Sequence, residues 1–366
     1  MLKTKFCELF GIEYPIVCAG MGTIALANLA AAVSEAGGLG TLALPKFPPN
    51  EISAEIAAAR KITSKPIVVN QLIPFLQPGT FETLAKQAIS AVTLFWGDPA
   101  EHIPACKKLG LKVIWQCGSA LEAAAAKRAG ADAIIAQGFE AGGHVRGVVT
   151  TFALVPEVRD AIGDLPMLAA GGISDGRGLA AALALGADGA VFGTRFLASR
   201  EASAHAKYKR AVVDAHASDT VHIKLFDVGW PDAAHRVIRT PLVDRWERAG
   251  SPASPNRAGE GEVLAHLRRG AIKRAAATLL GESSVGFGRR RSQRIAALCG
   301  PISELDRKNR ASRRNRPPNR NRSARRDRVA PRAPRAVAFS ARMRPAGALQ
   351  RLSWRHARPW FCEVRT

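Results

Sequence analysis

The stretch AAGGISDGRGLAAALALGADGAVFGTRF, from Ala169 to Phe196, contains the clearest structural signal in the chain. It continues an apolar run that begins at Met167, passes through a glycine-rich loop, and enters the Ala- and Leu-rich segment Leu179–Leu185. A second apolar run begins near Ala190 and ends at another glycine. Nearly continuous hydrophobicity is typical of parallel strands buried on both faces, and the segment between the two runs has the composition of a crossover helix. The stretch therefore predicts a βα unit in a parallel sheet.

The same unit recurs along the first 200 residues. Eight apolar runs, about 20 to 35 residues apart, alternate with helix-like segments that include Leu26–Ala36, Glu51–Lys61 and Leu121–Ala129. Eight repeated βα units predict an α/β fold, a (β/α)₈ TIM barrel over residues 1–200, with an open doubly wound sheet as the structural alternative. The strands are expected to begin near Ile16, Leu39, Ile67, Val92, Val113, Ala133, Met167 and Ala190.

The positive charge is concentrated in the last part of the chain. The net charge at pH 7 is +23 over 366 residues, and residues 289–366 contribute +19 through 22 arginines, one lysine and four acidic residues. The first 288 residues carry only +4, which is ordinary for a soluble enzyme. A basic arm can bind nucleic acid nonspecifically through phosphates, so nucleic-acid binding is an alternative for the tail alone.

The Arg-rich tail, residues 289–366, loses hydrophobic periodicity, which predicts disorder. A frameshift is a second explanation for its composition. Suitable codons for Ala297 through Arg310, read one base out of frame, encode His-Tyr-Ala-Gly-Leu-Ser-Val-Ser-Leu-Ile-Glu-Lys-Ile-Glu, which has globular character. We therefore also consider that the coding frame changes between Gly281 and Ile295.

Two features favour a reducing, cytoplasmic location. The N-terminus lacks the long apolar region of a signal peptide, and no apolar run reaches the roughly 18 residues of a membrane-spanning helix. The six cysteines are scattered without a CxxC pair, which argues against a disulfide framework and against a zinc site. We expect neither a membrane partner nor a metal.

The loop QGFEAGGHVRG, from Gln137 to Gly147, is the first candidate for chemistry. It follows an apolar strand and places the glycine pair Gly142–Gly143 directly before His144. Adjacent glycines let the backbone approach a ligand closely, and a histidine beside them can act as a base on that ligand. An ordinary surface turn is the alternative. The position of the loop after the sixth strand of a predicted barrel favours the catalytic interpretation.

Two further glycine loops follow the seventh and eighth predicted strands. Their sequences are GGISDGRG, which begins at Gly171 and Gly172, and FGTRF, which contains Gly193 and Thr194. Loops at these two positions of a barrel commonly bind phosphate through backbone N–H groups, and the Thr194 hydroxyl can add a donor. Tight βα turns are the alternative; two such loops at the right pair of strands favour a phosphate site.

Residues 201–288 leave the βα rhythm, and we expect them to form a small cap that completes the barrel beside its mouth. Lys207–His216 is predicted to be helical. We expect His222, His235 and Arg236 to serve mainly in packing and loop hydrogen bonding, with direct substrate contact as the alternative.

Together these motifs resemble the nitronate monooxygenase family, formerly called 2-nitropropane dioxygenases, whose members are FMN-dependent (β/α)₈ enzymes. The resemblance runs from about Phe6 to Gly286. It rests on both central motifs, on FGIEYPIVCAGMG near the start, and on FDVGWPDAAHRVIRT in the cap. The out-of-frame reading of the tail also resembles the family's C-terminal Tyr-Ala-Gly-x-Ser-Val stretch.

The resemblance implies a role for individual residues. His144 matches the catalytic base, which removes the α-proton of a nitroalkane or acts near a bound nitronate. Three features depart from the family pattern: Gly20 replaces a usual proline, Val191 replaces a common glutamine, and Val145 is an additional residue after the histidine. The residues expected to bind FMN are Met21, Asn70, Gln137, Gly142, Gly143, Gly171, Gly172, Val191, Phe192, Gly193 and Thr194, of which Val191–Thr194 match the phosphate-binding run.

The activity that the resemblance implies is the oxidation of alkyl nitronates by O₂ to a carbonyl compound and nitrite. The expected partners are therefore a nitronate or nitroalkane and O₂. An FMN-dependent enoyl-acyl-carrier-protein reductase, which uses NADH or NADPH, shares the barrel and the AGGH loop and is the enzymatic alternative.

Overall fold

The computed structural model describes residues 3–227, 230, 232–257 and 260, together with the backbone of residues 263–269 and 272–277. The tail and the frame change predicted between Gly281 and Ile295 lie outside the described residues. The domain boundaries at residues 200/201 and 288/289 stay predictions.

Eight parallel strands form the central sheet, in the spatial order first, eighth, seventh, sixth, fifth, fourth, third, second. The order follows the chain around a ring, which is the arrangement of a TIM barrel. The strands of the described chain are β1 (Ile16–Cys18), β2 (Gly40–Ala43), β3 (Ile67–Leu72), β4 (Ala91–Phe95), β5 (Val113–Cys117), β6 (Ala133–Gln137), β7 (Gly143–His144), β8 (Met167–Ala170), β9 (Gly189–Phe192), β10 (Thr220–Ile223), β11 (His235–Ile238), β12 (Val263–Arg269) and β13 (Ile272–Ala277). All eight predicted barrel strands are confirmed, and each begins within one residue of the position expected from the sequence.

A parallel bridge between Val17 and Leu39 joins β1 to β2 and completes the ring. The Cys18 N–H donates to the Leu39 carbonyl at 3.0 Å, and the Leu39 N–H donates to the Ile16 carbonyl at 2.9 Å. These bonds exclude the open doubly wound sheet that was the structural alternative, because β1 and β2 stand at the two ends of the strand order and would be unpaired edge strands if the sheet were open.

Helices follow most of the barrel strands and cover the outside of the ring. None of the described helices is long and apolar enough to cross a bilayer. The α-helices are α1 (Lys5–Phe10), α2 (Ala27–Glu35), α3 (Pro49–Arg60), α4 (Thr80–Ala85), α5 (Pro99–Lys108), α6 (Ala120–Arg128), α7 (Thr151–Ile162), α8 (Gly176–Ala184), α9 (Thr194–Leu197), α10 (Ala206–Asp214) and α11 (Pro241–Arg248).

Residues alternate along the strands between two apolar layers. The outward set, which includes Trp115, packs beneath the helices, and the inward set, which includes Ile114, fills the barrel. Helix α1 closes the amino-terminal end, where Phe6 and Phe10 lie with ring centroids 4.6 Å apart and join the inward cluster. By contrast, the carboxyl-terminal half of the barrel interior is polar. Its buried polar residues include Thr41, Asn70, Thr93 and Gln137.

A second, three-stranded sheet joins the C-terminal segment to the barrel. Strands β10 and β11 form an antiparallel pair, and β11 also pairs with β7, which lies in the loop after β6. The predicted helix Lys207–His216 corresponds to α10. The C-terminal segment therefore contacts the barrel at the loop that carries the candidate histidine.

Gly40 generates a prediction about stability. A Cβ atom at Gly40 would overlap the carbonyl oxygen of Ala30 and lie 2.6 Å from its carbonyl carbon, since α2 packs directly on β2. We expect Gly40→Ala to lower the free energy of unfolding by about 3 kcal/mol, the scale of a forced backbone shift in a packed core. Urea unfolding measures the loss.

Gly176→Ala is the matched control, because a Cβ at Gly176, the first residue of α8, has no neighbour within 4 Å. Its free energy of unfolding should stay within about 0.5 kcal/mol of the unmodified chain. Equal stability of both variants would contradict the close packing of α2 on β2.

Candidate active site

The loop from Gln137 to Gly147 is held by the side chain of Gln137 and by close contact with Gly118, which follows β5. The side chain of Gln137, at the end of β6, donates through Nε2 to the His144 carbonyl at 3.0 Å, and its Oε1 accepts from the Arg146 N–H at 3.5 Å. Gly147 lies so close to Gly118 that a Cβ on either would overlap the other's backbone. Gln137, predicted to bind FMN, therefore also fixes the conformation of the loop that carries His144.

Strand β7 places His144 opposite His235 of β11. The next residue, Val145, is buried and donates its N–H to the Ala234 carbonyl at 2.9 Å. The residue that is additional relative to the family pattern is therefore a packed part of this junction. The pairing brings a residue of the barrel loop and a residue 91 positions later into contact.

Aromatic rings surround the imidazole of His144. The ring of Trp230 is stacked on it, with centroids 4.1 Å apart and planes at 30°. The rings of His235 and Trp96 approach it edge to face at 5.2 Å and 6.2 Å. Phe75 extends this wall by contacting Trp230 at 5.1 Å. The imidazole of His144 is therefore packed among aromatic rings and is partly removed from water.

Burial, assisted by His235 and Lys46, lowers the pKa of His144 from its usual 6.5 to about 3. Its Nε2 atom is buried and has no hydrogen-bond partner among the described residues. A buried polar atom without a partner is costly and calls for a ligand or a functional role. His144 is therefore a neutral imidazole with one buried ring nitrogen that makes no hydrogen bond to the described residues.

His235 is fixed as a neutral ring. The Phe226 N–H donates to its Nε2 at 3.1 Å, so the proton of the neutral ring lies on Nδ1, which is 2.9 Å from the Ala233 carbonyl. Burial lowers its pKa. Both nitrogens are occupied within the protein, and His235 has the packing and hydrogen-bonding role expected from the sequence.

His222 and Arg236 lie beside the same junction, away from the His144 ring. Arg236 donates to the Phe139 carbonyl at 3.0 Å and to the Thr220 hydroxyl at 3.3 Å, and the His222 ring packs on Phe139 at 4.6 Å. Both residues thereby brace the start of the loop that carries His144.

The predicted phosphate site lies at the carboxyl ends of β8 and β9. Gly171 and Gly172 both have positive φ, at 108° and 70°, a backbone conformation that favours glycine. Gly193 precedes the one-turn helix α9, which begins at Thr194, so the N–H groups of this first turn have no intrahelical acceptor. These backbone donors, together with the exposed Thr194, suit an anion.

Val191 and Phe192, also expected to contact FMN, have buried side chains. Val191 belongs to the barrel interior, and Phe192 packs outward against the helices at 6.2 Å from the Phe196 ring. Any contact with a ligand at these two positions would involve their backbone rather than their side chains.

Asn70 lies in the second half of β3, and Met21 lies in the loop that follows β1. Asn70 is buried, and its amide packs so closely on Gly20 that a Cβ at Gly20 would overlap it. The contact leaves no room at Gly20 for the Cβ of the proline that is usual in the family pattern. Met21 packs against the cluster that includes Leu29 and Val33 of α2.

Three site residues were not identified from the sequence: Lys46, Trp96 and Trp230. The Lys46 ammonium lies 4.2 Å from the centroid of Phe75, and Lys46 and Trp96 both adopt positive φ, at 65° and 70°. A positive φ is uncommon for residues with side chains of this size, and such residues cluster at functional sites. Trp96 directly follows a strand, which could have indicated it, whereas nothing local indicates that Trp230 lies on His144.

Comparisons with known proteins identify the family. Its sequence profile, described as Nitronate monooxygenase, matches residues 3–94 and 77–298. A (3aS,4S,5R,7aS)-5-hydroxy-7a-methyl-1-oxo-octahydro-1H-indene-4-carboxyl-CoA dehydrogenase of Mycobacterium tuberculosis is 40% identical over 255 residues, which cover 69% of this chain and 70% of that relative. A probable nitronate monooxygenase of Staphylococcus aureus is 33% identical over 271 residues, covering 61% and 76% of the two chains.

Solved structures agree with the fold. The structure of FabK from Thermotoga maritima has a TM-score of 0.64 and 34% sequence identity, and the match covers 85% of this chain and 100% of that one. Because the last barrel strand ends at Phe192, a match of this extent also includes residues that follow the barrel strands.

The barrel mouth fits FMN on several independent features. The ends of β8 and β9 provide backbone donors for a phosphate, and Gly142 and Gly143 have no atom within 4 Å of where a Cβ would stand, so the loop leaves space beside it. The unpartnered Nε2 of His144 lies in the same loop. With its barrel, these residues and the profile match, the chain belongs to the nitronate monooxygenase family and is an FMN-dependent oxidoreductase.

Proposed function

We propose that this protein oxidises alkyl nitronates with O₂ to a carbonyl compound and nitrite. The observation that carries the proposal is the neutral imidazole of His144, whose buried Nε2 has no partner among the described residues. A nitronate is already deprotonated at carbon, so its oxidation requires no strong base. It is also an anion with two oxygens, which a neutral N–H donor can bind.

Specific residues would hold the cofactor and the substrate. The backbone of Gly171, Gly172 and Gly193 and the Thr194 hydroxyl would bind the FMN phosphate, and Met21, Asn70, Gln137 and the Gly142–Gly143 pair would line the ring-binding region. FMN supplies the oxidising equivalents and the reactivity with O₂. Trp96 and Trp230 exclude water from the His144 side of the site, and Lys46 adds a positive charge at its rim.

The role of His144 depends on the form in which the substrate arrives. For a preformed nitronate, the neutral tautomer with its proton on Nε2 donates to the anion and orients it. For a neutral nitroalkane, the tautomer with its proton on Nδ1 accepts the α-proton at Nε2 as general base. The lowered pKa makes this a weak base, so we expect neutral nitroalkanes to be oxidised more slowly than their nitronates.

Thioester chemistry is the second candidate, because the Mycobacterium tuberculosis relative is a CoA dehydrogenase. Removing an α-proton from an acyl thioester requires a stronger base than a nitroalkane does, and reducing an enoyl thioester requires a proton for the α-carbon. The low pKa of His144 disfavours both steps. Rapid loss of flavin absorbance with NADH or NADPH, followed by turnover of an enoyl thioester, would favour this candidate.

We also propose a cytoplasmic location. Cys18, Cys106 and Cys117 are buried free thiols, which suits a reducing compartment.

Replacing His144 should separate the two forms of the substrate. We expect His144→Asn to lower kcat/KM for neutral nitroalkanes by roughly 100-fold or more, the scale of general-base catalysis, because asparagine cannot accept the proton. The same variant should lose less than about tenfold on preformed nitronates, since its amide N–H can still donate to the anion. Steady-state oxygen consumption measures both values.

His222→Asn is the matched control, since His222 lies on Phe139 outside the aromatic wall. It should leave the ratio of the two kcat/KM values unchanged. An equal loss on both substrates in His144→Asn would remove His144 from the role of base.

Acidic pH should destabilise the fold partly through His144. Its pKa is about 3 in the folded chain and near 6.5 when unfolded, so between these pH values the unfolded state binds more protons. The free energy of unfolding therefore falls as pH drops from 6.5 toward 3. Between pH 7.5 and pH 5 the titration of this group should lower the free energy of unfolding by about 2 kcal/mol.

Urea unfolding of the unmodified chain and of His144→Asn at pH 7.5 and pH 5 measures this contribution. The variant should lose less stability than the unmodified chain between the two pH values, because asparagine does not titrate. Identical losses would show that His144 is not held neutral by the fold.

A further inference from the structure

The segment from Phe226 to His235 is anchored by a buried ion pair outside the aromatic wall. The side chain of Arg257 is only 2% exposed and bonds to the Asp227 carboxylate, whose side chain is 12% exposed. Arg257 also donates to the Lys224 and Pro252 carbonyls, each at 3.4 Å, and lies 3.9 Å from a Glu260 oxygen. Arginine suits this place because its planar fork binds several acceptors at once.

Asp227 transmits this anchorage to Trp230. Its backbone carbonyl accepts the Trp230 N–H at 2.8 Å, and its carboxylate accepts the Asp232 N–H at 3.2 Å. The Trp230 carbonyl in turn accepts the Ala233 N–H at 3.2 Å. The N–H groups of Trp230 and Asp232 are therefore both bonded to Asp227.

The same chain of bonds reaches His235. Ala233 accepts from His235 Nδ1, and His235 Nε2 accepts from Phe226, the residue before Asp227. Trp230 and His235 are the two rings that lie nearest to His144, at 4.1 Å and 5.2 Å. Trp230 and His235, which both contact the His144 ring, are therefore connected by hydrogen bonds to Asp227 or to its neighbour Phe226. Asp227 in turn is paired with Arg257.

We propose that Asp227 and Arg257 are positioning residues, which hold Trp230 and His235 against His144 and thereby set the direction in which Nε2 faces the substrate. The proposal rests on the role assigned to His144 in the proposed function. Asp227 and Arg257 do not stack on the His144 ring. They act on it through Trp230 and His235.

The energetics of the pair make this a strong constraint. Removing one partner of a buried ion pair leaves an uncompensated charge, which disrupts local structure far more than losing a surface pair does. The chain offers a comparison, because Arg239 bonds to Asp244 and Glu247 on the surface of the same region with its side chain 45% exposed. Arg257→Met should release the Trp230 segment, whereas Arg239→Met should not.

Chemical modification of His144 tests the proposal without any substrate. Diethyl pyrocarbonate reacts with accessible neutral imidazoles, and the Nε2 of His144 is buried beneath Trp230. In the FMN-loaded protein, we expect Arg257→Met to increase the modification rate of His144 by roughly tenfold or more, since breaking a buried ion pair shifts a local equilibrium at least that far. Peptide mass spectrometry after timed exposure measures the rate at each histidine.

His102, whose side chain is 15% exposed on α5, is the internal reference for global unfolding. Its rate should stay unchanged in Arg257→Met, and Arg239→Met should change neither rate. If Arg257→Met does not fold, the isosteric Asp227→Asn provides the same test, and Arg257→Lys should lie between it and the unmodified chain.

An unchanged His144 rate in a folded variant, or an equal increase at His102, would overturn the positioning role. Because the measurement needs no nitronate, a selective increase at His144 supports positioning even if nitronates prove not to be substrates. If kcat for nitronate also falls in Arg257→Met while the FMN content is unchanged, the positioning role contributes to nitronate oxidation.

Discussion

The pairing of β7 with β11 is the interaction on which the site is built. It is short, with two residue pairs, yet it joins the loop after β6 to a segment that lies about 90 residues later and sets His144 opposite His235. Without it, the imidazole would stand in an open glycine-rich loop with an ordinary pKa. With it, Trp230 and His235 pack on the imidazole. The Asp227–Arg257 ion pair lies next to them, and Asp227 is bonded to the Trp230 backbone.

Desolvation then determines what the histidine can do. An imidazole whose pKa is about 3 stays neutral over the whole physiological range, so it is always able to accept a proton but has little driving force to do so. Such a group suits a substrate that is already an anion. In the proposed site, backbone N–H groups at the ends of β8 and β9 would bind the cofactor phosphate, and the positive φ of Gly171 and Gly172 suits such a loop.

The barrel could be predicted from the sequence because each parallel strand is buried on both faces and leaves a continuous apolar run that ends in glycine or a polar residue. The run from Ala133 and the loop after it are examples, and His144 could be identified from the glycines before it. Strand β7 could not be predicted, because a strand of two residues shows no periodicity in its sequence. Trp230 and the Asp227–Arg257 pair could not be assigned either, because their roles arise from contacts between residues distant in sequence, and the pKa of His144 depends on that burial.

The central claim is that FMN at the barrel mouth oxidises a nitronate bound beside His144. Purified protein loaded with FMN can be mixed with an alkyl nitronate in the absence of oxygen while its visible spectrum is recorded. We predict that the flavin absorbance is lost on adding nitronate and returns when O₂ is admitted, with nitrite formed. A flavin spectrum that nitronate leaves unchanged, but that NADH or NADPH bleaches, would contradict the account.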